Sequence, residues 1–424
     1  MALQITAAPS DPDLLFLPWP LALEEWPDDS VVSLPRGISR HIVRFVRLNG
    51  VVYAVKEVEQ ELADREYRLL TDLGRRDVPC VVPIGVVGGR ETPDGGPLPA
   101  ALITAHLSFS LPYRALFSST LRSETAIRLL DALALLLVRL HLVGFAWGDC
   151  SLSNTLFRRD AGAFAAYLVD AETGQMHTTL SKGQRDYDLE LAATNVAGEL
   201  MDLQAGELLH ESIDPIATGL DIRVRYDRLW AALNEPISME FGERHRLEER
   251  IRTLNSMGFD VAELTVTQEQ GGTRVVVEPK VVDAGHHARR LLRLTGLDVE
   301  ENQAQRLLND LDAYRVELGL PPADEEIVAH RWVTEVFEPV VSAVPRELRG
   351  TFEPAEVFHE VLEHRWFASE NAHREIGLLE AADMYVRDVL THKPDEQAVL
   401  GTRIGALSDD TAELRLVMPL EDTR

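Results

Sequence analysis

The sequence predicts an α+β chain: a small β-rich lobe, a helical lobe, and a mainly helical α+β domain behind them. Three observations predict it. Two β-rich runs flank Asn49-Gly50, a hairpin turn signal. Ala126 to Val143 is apolar most of the way round a helix, as a buried helix is. A break at Asn234-Glu235-Pro236 separates these lobes from a second, charge-rich half. The expected boundaries are 1–105 for the β-rich lobe with an N-terminal extension, 106–235 for the helical lobe, 236–395 for the second domain and 396–424 for a flexible tail.

The elements follow in order. Residues 1–30 carry several prolines with Trp19 and Trp26, which predicts an irregular segment pinned by aromatics. His41 to Leu48 and Val51 to Val55 read as the strands of the hairpin. From Glu57 to Leu73 the spacing turns helical, with Leu62, Tyr67, Leu69, Leu70 and Leu73 as the apolar stripe and Gly74 as the stop. Val78 to Val87 returns to β character, Arg90 to Pro97 reads as a surface loop, and Ala101 to Thr104 as a short strand. Ser123-Glu124-Thr125 resembles a capping sequence before the long apolar helix. Asp149 to Asn154 is a polar loop, Thr155 to Phe157 and Ala165 to Val169 are strands, and Tyr187 to Gln204 is a second buried-type helix. Helix-like text runs on from Pro215 to Glu235.

Beyond the break, Phe241 to Met257 predicts a charged helix. Val261 to Thr267 and Thr273 to Val277 flank Gly271-Gly272 as a second hairpin. Ala284 to Leu294, Glu301 to Leu318, His330 to Val344 and Pro354 to Leu390 are helical. His-Arg-Trp stands at 330–332 and again at 364–366, but the flanking residues match poorly and no repeat array is predicted.

Composition bounds the function. The chain has 424 residues, 45% of them apolar, so two to three packed domains are expected. Its 69 acidic against 42 basic side chains, a net charge of −27, argue against a dedicated nucleic-acid binder. Cys80 and Cys150 form no disulfide framework, which suits a reducing compartment. The greasiest stretch, Ala132 to Trp147, is interrupted by Arg139 and His141 and is too short for a membrane span. Met1 to Thr6 lacks a basic region before an apolar core, so the expected location is the cytoplasm.

The chemistry lies in three stretches. Val55-Lys56 ends a strand and is followed by a helix bearing Glu66; Trp147-Gly148-Asp149 leads to Asn154; and Leu168-Val169-Asp170-Ala171-Glu172 ends a strand. Alone, each has a plainer reading. Lys56 is then a strand-edge lysine, Asp149 a turn residue bonding its own backbone, Asp170 a strand-ending aspartate, and Glu59 and Glu61 rival Glu66. Together they supply what phosphoryl transfer requires: a cation for the phosphates and oxygen ligands for Mg²⁺.

In this order, with a buried helix before the second stretch, they resemble the protein-kinase-like superfamily, closest to its bacterial lipopolysaccharide-kinase-like branch. The resemblance covers roughly residues 30–235 and implies the two-lobed protein-kinase-like fold. It implies ATP and Mg²⁺ as cofactors and an unidentified hydroxyl acceptor on a small molecule, glycan or protein. Lys56, oriented by Glu66, would hold the nucleotide phosphates, and Asp149 would face the acceptor hydroxyl. Asn154 and Asp170 would hold Mg²⁺, while backbone groups at Ala105 and Leu107 would meet adenine. The phosphate loop is thin, with Gly37 alone between Leu34 and His41, so Arg36 or Arg40 would assist it. Trp147 stands two residues before Asp149, where the family usually has histidine, and Asp170-Ala171-Glu172 replaces Asp-Phe-Gly, so that Glu172 could add a metal contact. No Ala-Pro-Glu segment follows. A phosphotransferase is the first reading. The alternative is a pseudokinase, a nucleotide-binding regulatory scaffold without turnover. No acidic cluster adjoins Asp149 in the sequence, so nothing there favours a cationic acceptor.

The second half resembles a domain of unassigned function, the DUF4032 type, found attached to kinase-like modules, and the resemblance implies no activity. His359-Glu360 with His364 invites a zinc reading, but five residues place the two histidines about 140° apart on a helix. His286, His287, Arg289, Arg290 and Arg293 form a basic helix face that reads first as solvated or ion-paired within the chain.

Overall fold

The structure, a computed structural model, describes residues 4–7, 12–27, 30–32, 41–117, 121, 123–234, 237–240, 254, 259–268, 274–320 and 325–393. The chain divides into two compact units. The first holds the residues up to Arg158 together with Ala166–Val224; the second holds Arg159–Ala165 and the described residues from Arg225 onward.

The first unit opens with a five-stranded antiparallel sheet. Its strands are β1 (Gln4–Ala7), β2 (Val43–Leu48), β3 (Val51–Val58), β4 (Pro83–Gly88) and β5 (Ala100–Ala105), in the order β1-β4-β5-β3-β2. Asn49 (φ 48°) and Gly50 (φ 85°) make the tight turn between β2 and β3. Both positive φ values suit Asn-Gly and match the strand twist. The register pairs Val43 with Lys56 and Leu48 with Val51. Helix α1 (Gln60–Gly74) packs on one face through Ala63 against Val58, Val86 and Leu102. The N-terminal segment covers the other face: Leu14, Leu17, Trp19, Leu23 and Trp26 pack against Val46, Val55 and Ile103. Trp19 and Trp26 meet edge to face at 5.4 Å, as the aromatic anchor the sequence predicts. The β1 strand of this segment was not expected.

Alternation along β3 decides what faces where. Val55 points to the N-terminal segment, so Lys56 points to the α1 side. Glu57 turns back and is buried, accepting from the Leu23 amide at 3.1 Å. Its counter-ion is Arg90, 2.8 Å away. Arg90, expected in a surface loop, is instead 1% exposed. It also donates to the carbonyls of Trp19, Leu21 and Pro99. Arg90→Met strands the Glu57 charge in the interior and is expected to cost about 3–5 kcal/mol. Urea unfolding checks this: the midpoint should fall at constant slope.

The helical lobe follows. Helix α2 (Ser123–Leu142) buries Leu129, Leu133, Leu136, Leu137 and Leu140. Ser123, read as a cap, is its first helical residue. Short strands β6 (Leu111–Pro112), β8 (Thr155–Asp160) and β9 (Ala163–Leu168) form one sheet, and β7 (Phe145–Ala146) pairs with β10 (Gln175–Met176). Helix α3 (Lys182–Ala205) starts at a capping box in which Ser181 and Gln184 satisfy each other's amides. Helix α4 (Pro215–Asn234) comes next, and its residues from Arg225 belong to the second unit.

In the second unit, β11 (Ile237–Glu240), β12 (Phe259–Gln268) and β13 (Arg274–Ala284) form a sheet in the order β11-β13-β12. The Gly271-Gly272 turn, the body of the charged helix at 241–257 and the tail from 394 lie outside the described residues. Helices α5 (His286–Thr295), α6 (Glu301–Glu317), α7 (Glu325–Trp332), α8 (Glu338–Ala343), α9 (Pro354–Ala372) and α10 (Leu378–Asp388) surround Trp332, Phe337 and Phe358. The helix expected over His330 to Val344 is broken by a wide π turn at Val333–Phe337. Pro339 explains it: proline has no N–H for the carbonyl one turn earlier. Trp332 is fully buried and Trp366 is 60% exposed, so the two His-Arg-Trp copies play different parts. Of the basic face of α5, His287 Nδ1 lies 2.6 Å from Glu301 and Arg290 pairs with Glu325. No helix among the described residues is long and apolar enough to cross a membrane.

Candidate active site

Lys56 is the centre of the site. Its Nζ lies 3.0 Å from Glu66, 2.7 Å from Asp170 and 3.2 Å from Glu172. Glu66 reaches it because α1 buries Ala63, Glu66, Leu70 and Leu73 on one stripe. Glu57 is occupied by Arg90, and Glu66, rather than Glu59 or Glu61, pairs with the lysine. Asp170 arrives from β9, whose end is tied to the β-rich lobe: Val81 N–H donates to Leu168 O at 2.9 Å, and Leu168 N–H to Pro79 O at 3.1 Å. The Glu172 amide donates to Asp170 Oδ1 at 2.9 Å, fixing the rotamer that faces Lys56. Glu172 also pairs with His41, 2.8 Å away.

The charges shift one another. Burial and the nearby Asp170 charge push the Glu66 carboxyl up to about 7. Burial opposes the Lys56 charge, but Glu66 and Asp170 outweigh it and hold the ammonium above the ordinary lysine range. Asp170, with burial against it, is held below the usual carboxylate range by Lys56.

The loop from Trp147 to Asn154 supplies the second half. Asn154 Nδ2 donates to Asp149 Oδ2 at 3.1 Å and to the Asp149 carbonyl at 3.0 Å. Its amide nitrogen is thus committed, and its oxygen is what it has to offer a cation. Trp147, in the position usually held by histidine, is fully buried. Its indole donates to Asp170 O at 2.8 Å, and its carbonyl accepts from Thr173 Oγ1 at 2.8 Å. The indole therefore ties the Asp149 loop to the Asp170 segment.

Three residues of α3 that the sequence reading passed over hold this loop. Asp188 accepts from the amides of Trp147 (2.8 Å) and Gly148 (2.7 Å) and contacts His141 at 3.0 Å. Glu199 accepts from the amides of Leu152 (2.6 Å) and Ser153 (3.1 Å) and from the Ser153 hydroxyl. Asn195 lies between them. The only available signal was their spacing within a helix correctly read as buried.

Asp149, Asn154, Asp170 and Glu172 share one cavity of about 600 Å³. Glu199 and Asp202 also line it, so an acidic surround does exist at Asp149, contrary to the linear reading. Both come from α3, far away in sequence. A larger cavity of about 1000 Å³ lies between α9 and α10 and is walled by Phe367, Leu379 and Met384. It contains none of the predicted site residues. Ala105 ends β5, its amide donating to Val82 O at 2.8 Å, and His106 N–H donates to Val52 O at 2.9 Å. Neither Ala105 nor Leu107 lines the smaller cavity. Gly37, Arg36 and Arg40 lie outside the described residues.

A metal fits the donor set. Oxygens of Glu66, Asp170 and Glu172 lie within 4.8 Å of one another, the one such group of acidic, histidine or cysteine ligands among the described residues. Carboxylate oxygens are what Mg²⁺ prefers. Of the histidine–glutamate set on α9, Glu360 accepts from the Tyr385 hydroxyl at 2.7 Å, and His359 lies 3.6 Å from Glu363.

Comparison with known proteins follows the same division. Residues 45–196 match the Lipopolysaccharide kinase (Kdo/WaaP) family, and residues 228–390 match a Domain of unknown function (DUF4032). Both matches bear out the resemblances drawn from the sequence. No curated protein matches the chain. Among similar solved structures is one described as WaaP in complex with acyl carrier protein. It is 16% identical, with a TM-score of 0.36, and the match covers 60% of this chain and 99% of that one.

Proposed function

We propose that the kinase-like unit is a phosphotransferase that uses ATP with Mg²⁺ and passes the terminal phosphoryl group to a hydroxyl acceptor. One observation carries the reading: a half-buried lysine is shared by Glu66, Asp170 and Glu172 while Asp149 opens onto the same cavity as two of those carboxylates. A solvated strand-edge lysine has no use for three carboxylates. The family match over residues 45–196 supports a kinase-like chemistry.

Lys56 then holds the nucleotide phosphates, and Glu66 keeps it aimed. Asp170 and the Asn154 side-chain oxygen would hold Mg²⁺, with Glu172 as a further oxygen ligand. Bound Mg²⁺ would offset charge on the phosphate oxygens. Ala105 and Leu107 meet adenine through their backbone. Asp149 accepts the acceptor's proton as the new O–P bond forms and the bond to the ADP oxygen breaks.

The test is calorimetric titration of the protein with ATP, with and without Mg²⁺. Mg²⁺-dependent binding is expected, and its absence overturns the reading. The pH dependence has a sign. Glu66 takes up a proton as the pH falls through about 7. A protonated Glu66 no longer balances Lys56, and the proton competes with the cation for the carboxylate cluster. Mg²⁺·ATP affinity is expected to weaken from pH 8 to pH 6, by up to about tenfold per unit below the Glu66 midpoint. A flat profile removes Glu66 from the binding equilibrium.

A further inference from the structure

Helix α3 grips the loop from Trp147 to Ser153 with one stripe of side chains. Asp188, Asn195 and Glu199 are seven and four residues apart, which places them within about 40° on a helix. Asp188 takes the amides at the start of the loop and Glu199 those at its end. Both are acceptors meeting backbone donors, and they hold the loop's shape. Asn195 differs. Its Nδ2 lies 3.2 Å from Asp149 Oδ1 and 3.2 Å from the Cys150 carbonyl. It is the donor among the three, and it meets the loop's one carboxylate.

Asp149 is therefore held on both oxygens by amide donors. Asn154, within the loop, takes Oδ2 at 3.1 Å, and Asn195, from α3, takes Oδ1. Two such donors fix the plane of the carboxylate, and with it the direction in which its remaining lone pairs face the cavity. An alanine in place of Asn195 brings no N–H donor, so one oxygen of Asp149 loses its hold while the backbone contacts of Asp188 and Glu199 remain. Loop shape alone does not require a donor here, because the flanking carboxylates already hold the backbone.

We propose that Asn195 is a positioning residue that aims the carboxylate of Asp149. The proposal rests on the phosphotransferase reading for what Asp149 does, but not for the contact itself.

The test asks whether Asn195 acts through Asp149. ADP release from Mg²⁺·ATP with water as acceptor is measured at one pH on the full chain in wild type, Asn195→Ala, Asp149→Asn and the double variant. Asn195→Ala should lower kcat by about 100-fold, the order expected of a misplaced catalytic group, with KM for ATP unchanged. In the Asp149→Asn background the same change should cost almost nothing. An equal loss in both backgrounds, or a loss that falls on KM, overturns the proposal, and a purely structural role for Asn195 predicts that result. If Asn195→Ala does not fold, Asn195→Ser is read in the same cycle. Wild type that fails to bind Mg²⁺·ATP defeats the phosphotransferase reading. The ¹³C carboxyl line of Asp149, assigned by its loss in Asp149→Asn, then decides on the contact: a line that moves in Asn195→Ala keeps it, and an unmoved line overturns it.

Discussion

Asp170→Ala is expected to abolish the Mg²⁺-dependent part of ATP binding while the protein stays folded. The wild-type protein at ATP 100-fold above Kd should gain about 2.7 kcal/mol of stability, seen as a rise in Tm, and the variant should gain almost none. The reason lies in how much rests on this carboxylate. It is the shortest of the three contacts to Lys56, at 2.7 Å, and the group whose proton affinity Lys56 depresses. Removing it takes away a metal oxygen and frees Lys56 to settle on Glu66 and Glu172, away from the phosphates. The fold survives because the side chain is 27% exposed and the Trp147 indole bonds to the backbone oxygen of residue 170, which alanine retains. Thermal shift with ATP and Mg²⁺ together and separately checks it. A full Mg²⁺-dependent shift in the variant means the metal is held elsewhere.

Lys56 and Glu66 were legible in the sequence through the order of the three stretches and the resemblance it carries, and the local pattern agrees with the pair. Period-two alternation after Asn49-Gly50 puts Lys56 on the face opposite Val55, and a glutamate on the buried stripe of α1 has few uses other than pairing with a cation. Of the expected stripe, Leu70 and Leu73 are buried, whereas Leu62, Tyr67 and Leu69 are half-buried and Ala63 and Glu66 take the remaining buried positions. The stripe is rotated because it must bury Glu66. Arg90 was illegible for the opposite reason. It stands in turn-like text, and its partners at Glu57, Trp19 and Leu21 lie at the far ends of other elements. Asn195 and Glu199 were missed likewise. On a helix read as buried, a polar residue is normally assigned to the solvent face, and only the tertiary fold turns these two toward Asp149 and its loop.

The counterpart to the metal-ligand variant separates base from binding. Asp149→Asn is expected to lower ADP release about 10³-fold, within the range usual for loss of a general base, while leaving the Kd for Mg²⁺·ATP unchanged. The separation follows from geometry. Asp149 is held by Asn154 and Asn195, whereas Lys56 is held by Glu66, Asp170 and Glu172, so the charge lost in the variant does not belong to the set that holds the nucleotide. Asparagine keeps the size of the side chain but presents one oxygen where two amide donors converge. One donor is then left facing an NH₂ group, a small local cost beside the loss of the proton acceptor. Single-turnover measurement alongside calorimetry decides the matter. Retained turnover would mean that Asp149 is not the base, and weakened binding would mean that the loop supports the nucleotide site directly. The scaffold alternative predicts a third result: tight Mg²⁺·ATP binding in both proteins and no ADP from either. The three outcomes differ because the carboxylates proposed to hold the cation and the one proposed to accept the proton belong to separate sets of hydrogen bonds.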